Sequence, residues 1–134
     1  MAIAIADRQE RLRIPASKMR RLVRLILDGE RAALKLSFAF VDGREMRRLN
    51  KRFLKHDFDT DVLSFPLEAG KGEIVISTDY AAAEAEKRGI GVEEELVRYA
   101  AHGVLHLLGY DDHAPADKKR MWRRQERYVR DALR

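Results

Sequence analysis

The chain has 134 residues, 46% apolar and 37% charged, with a formal charge of +5, a make-up that suits one globular domain around one core. There is no cysteine, which excludes disulfides, thiolate metal sites and cysteine nucleophiles, and no apolar run approaches the roughly 20 residues that span a bilayer. The opening MAIAIADRQE has no basic start and meets charge at Asp7, so it is not read as a secretory signal, and a cytoplasmic setting with no membrane partner is expected.

In chain order, AIAIA is a candidate first strand. IPASKMRRLVRLILDGE reads as a helix opened by Pro15 and stopped at Gly29, with Met19, Leu22, Val23 and Ile26 on one face. LKLSFAFV, residues 34–41, alternates apolar with small or polar residues at period two, as a strand does. Asp42 and Glu45 then make a capping-box-like start for the helix DGREMRRLNKRFL. DVLSFPL and EIVIS are two short strands joined through a glycine-containing loop. From Thr78 onward three helical segments follow: TDYAAAEAEKRG, VEEELVRYAAHGVLHLLG and ADKKRMWRRQERYVRDAL. The order β-α-β-α-β-β followed by three helices predicts an α+β fold. Residues 1–134 would form one domain, a small mixed sheet of about four strands covered by helices. In the last segment Met121, Gln125, Tyr128 and Ala132 mark a buried stripe, and Trp122 is read as structural beside it.

The basic excess is local. Residues 118–134 hold eight Lys/Arg against Glu126 and Asp131, whereas the rest of the chain is nearly neutral. Such a run is a solvated helix face or a footprint for a polyanion such as nucleic acid, and charge alone does not choose.

Three of the four histidines fall in HGVLHLLGYDDH, residues 102–113. His102 and His106 are four apart on a predicted helix, so their rings share a face about 6 Å apart along the axis and can hold one ion. A helical wheel puts Val97, Ala100, Val104, Leu107 and Leu108 within about 100° of one another and the two histidines well outside that arc. Gly109 ends the helix, and a third ligand can return from the turn at His113, which would place a metal site at the end of this helix. Neutral imidazole is the commonest zinc ligand, and three protein ligands plus water is the usual catalytic form. In the HExxH protease signature the residue after the first histidine is the general base; here it is Gly103, which disfavours that chemistry.

HGVLHLLGYDDH is similar to the HGxLHLxGYDH signature of the YbeY family of bacterial single-strand-specific endoribonucleases. TDVLSFP, residues 60–66, resembles that family's second hallmark and GEIVIS, residues 72–77, its third. The resemblance covers roughly Leu34 to the C-terminus. It implies one zinc per chain on three histidines, His102, His106 and the histidine closing the motif. It also implies cleavage of single-stranded RNA in ribosomal RNA processing (16S rRNA 3′-end maturation) and ribosome quality control, with the ribosome or its assembly factors as partners. Two departures matter. The motif ends GYDDH rather than GYDH, so Asp112 stands at the usual third position and His113 one place later; His113 is preferred as ligand because imidazole matches the other two. The arginine that the family often carries before TDVLSFP aligns with Leu54, and Arg52 and Lys55 are its nearest substitutes.

In HDFDTD, residues 56–61, alternating Asp57, Asp59 and Asp61 could bind a hard cation. A polar loop with Asp61 or Thr60 bonded to nearby backbone is preferred, and His56 is read as a loop residue. Phe53 and Phe58 are candidates to stack on bases, with the C-terminal helix and REMRRLNKRFLK as basic surfaces. Zinc would lower the pKa of a bound water toward about 7; the nucleophile, that water or the RNA 2′-hydroxyl, stays open. Nickel, copper or iron also accept nitrogen ligands. The alternatives are a non-catalytic RNA- or ribosome-binding factor with a structural zinc, and a zinc hydrolase of another substrate class.

Overall fold

The computed structural model describes residues 3–56 and 60–134. Its centre is a four-stranded sheet. Ile3–Arg8 (β1) pairs parallel with Lys35–Val41 (β2), which pairs parallel with Lys71–Ser77 (β4); Val62–Pro66 (β3) closes the other edge, antiparallel to β4. The spatial order is β1-β2-β4-β3. The helices are Ala16–Gly29 (α1), Gly43–Leu54 (α2), Thr78–Arg88 (α3), Val92–Leu107 (α4) and Pro115–Leu133 (α5). This is the predicted α+β order. Among the described residues, no helix is long and apolar enough to cross a membrane.

Local chemistry sets the element ends. The Asp42 carboxylate accepts from the Glu45 backbone N–H at 2.8 Å, the expected cap of α2. Ser77 caps α3 by accepting from the Tyr80 N–H at 3.1 Å, and Gly89 ends that helix in the left-handed region. Strand β4 begins two residues earlier than EIVIS implies, because Lys71 and Gly72 continue its ladder with β2.

The sheet is covered on both faces. Leu36, Phe38, Phe40, Ile74 and Ile76 point into the larger core with Met19, Leu22, Val23 and Ile26 of α1 and the apolar residues of α4 and α5. Ala39, Val41, Leu63 and Val75 face the other way and pack under Met46 of α2. The small residues of LKLSFAFV are therefore the second buried face of a parallel strand rather than a wet one.

Helix α4 is central. It packs against α1, α3 and α5 and against β3 and β4. Residues 95–101 and 103–105 are all buried, Glu95 and Arg98 among them. The wheel's polar arc is thus not a solvent face; it meets α5 across a buried polar seam. On α5, Met121, Gln125, Tyr128 and Ala132 are buried as expected. Trp122 is not structural in that sense: it stands 49% exposed, because one residue past Met121 turns the side chain about 100° out of the core.

Candidate metal centre

His102 and His106 project from the last two turns of α4 with their rings edge to face, centroids 4.5 Å apart. The helix is seated by close backbone approach. A Cβ on Gly103 would come within 2.9 Å of the Ile74 methyl and 3.0 Å of the Ser64 hydroxyl, so no side chain fits there. The Ser64 hydroxyl instead donates to the Gly103 carbonyl at 3.2 Å, tying β3 to the turn that carries both histidines. The position that holds a glutamate in HExxH is closed by packing. Gly109, at φ +100°, then turns the chain back through Tyr110 to Asp112.

The two Nε2 atoms face each other at 3.0 Å, and one Asp112 carboxylate oxygen lies 3.6 Å from that of His102 and 3.5 Å from that of His106. Side-chain exposures of 28%, 32% and 33% place all three at the wall of a cleft, reachable but not freely solvated. The tautomers follow from the partners. The Nδ1 of His106 lies 3.1 Å from the Tyr110 carbonyl, which can only accept, so that nitrogen carries the proton. The Nδ1 of His102 lies 2.8 Å from the Gln125 amide oxygen. That amide is oriented by its own N–H, which donates to the Glu126 carboxylate at 3.0 Å. With both Nδ1 atoms as donors, both Nε2 atoms turn toward one spot, 3.0 Å apart, an arrangement that a shared cation or a proton on one ring would satisfy.

Each of these supports is itself anchored. Arg98 binds Glu126 with two hydrogen bonds, at 2.9 and 2.8 Å, and reaches Glu95 at 2.6 Å and Glu94 at 3.0 Å. Its pKa is raised, first by the hydrogen bond to Glu126. Burial opposes that rise, and the two other carboxylates reinforce it. On the His106 side, the Tyr110 hydroxyl donates to Glu30 at 2.5 Å, and so does the Tyr128 hydroxyl. Burial pushes the Glu30 carboxyl up, but these hydroxyls and the charge of Arg124 outweigh it and hold its pKa below the ordinary value. The Tyr128 hydroxyl is pushed up to about 12 by burial and by its bond to Glu30.

A tetrahedral ion with bonds of about 2.1 Å has ligand–ligand edges of about 3.4 Å. The edges here are 3.0, 3.5 and 3.6 Å. Among the described residues, His102, His106 and Asp112 thus form a donor set that could hold a metal ion. His113, the donor expected from the sequence, is not in that set. Its side chain is 90% exposed and its Nδ1 lies 2.5 Å from Asp111. Asp111, Asp112 and His113 form a second, more exposed grouping on the same turn.

The model of the endoribonuclease YbeY family matches residues 4–132. The chain belongs to the YbeY family. It is 41% identical over 121 residues to endoribonuclease YbeY of Chlorobium phaeovibrioides, covering 87% of this chain and 82% of that protein. The corresponding protein of Salinibacter ruber is 35% identical over 133 residues, covering 90% and 85%. A solution structure from Thermotoga maritima superposes with a TM-score of 0.72 at 28% identity, covering 97% of this chain and 88% of that one.

The YbeY hallmarks now have physical roles: TDVLSFP supplies Ser64, and the GEIVIS glycine, Gly72, admits Leu107 at the end of α4. The group of His102, His106 and Asp112 lies between two clefts. One is lined by Leu54, Ser64, Phe65 and Pro66 with both histidines. The other lies between α3, α4 and α5. Leu54 lines the same cleft as both histidines. Arg52 and Lys55 are exposed at the end of α2 and line neither cleft among the described residues; Arg52 lies over the Phe53 ring, 5.3 Å from its centroid. Phe53 is exposed and sits edge-on to Phe65. Phe58, Asp57 and Asp59 fall outside the described residues. Asp61 accepts from the Val62 N–H at 2.7 Å, the local bonding expected of a polar loop. His56 is an exposed residue just past α2. Sequence reasoning missed Gln125, Tyr110 and Glu30 as supports, since their partners are distant in the chain.

Proposed function

We propose that this protein is a zinc-dependent endoribonuclease that cleaves single-stranded RNA during ribosomal RNA processing in the cytoplasm, with the ribosome or its assembly factors as partners. The observation that carries the reading is the convergence of two Nε2 lone pairs and the Asp112 carboxylate on one point. His102 and His106 would hold the ion. Asp112 is proposed as third ligand, because its oxygen is equidistant from both nitrogens while the His113 ring turns to solvent. Bound zinc would supply Lewis acidity toward a phosphoryl oxygen and a lowered pKa for water. Gln125 and the Tyr110 carbonyl accept from the Nδ1 side of each ring, which would leave the two Nε2 atoms to hold the ion. A structural zinc usually has four protein ligands, and three donors on a cleft wall suit catalysis better. Membership in an endoribonuclease family favours RNA over other substrate classes.

The test is elemental analysis together with cleavage of a labelled single strand and the same strand in duplex. We expect about one zinc per chain, cleavage confined to the single strand, and loss on chelation. His106→Ala should lose both metal and cleavage. A metal-free, folded wild-type protein of full activity would defeat the proposal.

A further inference from the structure

The cleft between α3, α4 and α5 has a volume of about 630 Å³ and shares His102 and Asp112 with the metal centre. One face of α5 forms its wall, at helical spacing: Lys118, Lys119, Trp122 and Gln125. Gln125 touches His102, so Trp122, three residues earlier, stands about 4.5 Å along the helix axis from the residue that supports it, and the lysines stand about one turn further. Half of the indole is exposed although the cleft beside it is large enough to hold a ring system. Neither Lys118 nor Lys119 has an ion-pair partner among the described residues, whereas Arg120 and Arg124 on the same helix do. The lining also carries Asp61 and Glu84, which would repel phosphate but not a base, while its Arg88 and Arg98 are already paired with Glu95.

We propose that this cleft is a nucleotide subsite for single-stranded RNA: Trp122 stacks on a base next to the scissile phosphate, and Lys118 and Lys119 pair with the phosphates that flank it. The assignment rests on the nuclease reading for its ligand, and it would make the site refuse a duplex, because a stacked pair cannot offer a free base face.

Trp122 is the chain's only tryptophan, so its fluorescence reports on this site alone. The probe is a short 2′-O-methyl oligoribonucleotide, end-labelled for anisotropy and added to the zinc-loaded protein. Binding should quench the tryptophan strongly, and the same strand in duplex should not. Trp122→Ala should weaken binding about tenfold, within the range for one base–aromatic stack, with zinc content unchanged. Lys118→Gln with Lys119→Gln should flatten the log–log salt dependence by about 1.4, at about 0.7 per phosphate contact on a single strand. No binding, binding without quenching, or Trp122→Ala within twofold of wild type would overturn the subsite. A protein that cleaves RNA yet shows any of these keeps the nuclease reading and loses the subsite; one that binds with quenching but never cleaves does the reverse.

Discussion

Gln125→Leu removes the group that fixes the His102 tautomer while nearly keeping its volume. Gln125 is 2% exposed, and its carbonyl is the partner of the His102 Nδ1 proton at 2.8 Å. Without it that proton is a buried donor with no acceptor, which costs about 1–3 kcal/mol. His102 escapes the cost by moving its proton to Nε2, the atom proposed to bind the ion. The penalty therefore transfers to metal affinity, and loss of such a support typically costs about 10–100-fold, or about 1.4–2.7 kcal/mol. Competition against a chromophoric chelator at neutral pH reads the affinity, and circular dichroism with a thermal melt confirms the fold. Glu126 keeps its two bonds to Arg98, so the seam should survive. A folded Gln125→Leu variant that binds zinc within twofold of wild type would refute the tautomer argument.

Gly103→Glu, which recreates the HExxH pattern, should not yield a peptidase: the Cβ already collides with Ile74 and Ser64, and overpacking plus a buried carboxylate should cost more than about 3 kcal/mol. A cooperative melt at the wild-type temperature would contradict this. Arg98→Met leaves Glu95 buried without its closest partner and should destabilise by about 3–5 kcal/mol in urea unfolding. Glu30 has a folded pKa below its ordinary value of 4.5, so its stabilising contribution is complete above that value and fades as pH falls through the lower folded pKa. Glu30→Gln should therefore flatten the acid side of the urea midpoint–pH curve below about pH 4.5; an unchanged slope would show that the cluster does not tune it.

The helices and strands were readable because each is decided locally. Asp42 caps α2, Gly89 and Gly109 end helices in the left-handed region, and period two marks β2. The two histidines were readable for the same reason, being four residues apart on one helix. What the wheel of α4 could not show is that Glu95 and Arg98 on its polar arc are buried, because Arg98 is satisfied by Glu126, 28 residues later. Which residue of the turn approaches the histidines is a tertiary matter: imidazole chemistry favours His113 as a ligand, yet the turn carries Asp112 inward and His113 out, the placement on which the proposal of Asp112 rests. Trp122 was misread by a single helical position. Glu30 joins Tyr110 and Tyr128 across 80 and 98 residues, a pairing that no local pattern encodes.

The central claim is tested most directly by anomalous scattering at the zinc edge from a crystal grown with zinc. The account predicts one peak about 2.0–2.2 Å from the Nε2 of His102, the Nε2 of His106 and an Asp112 oxygen. A peak ligated by His113 with Asp112 turned away, or no peak between the two rings, would contradict it.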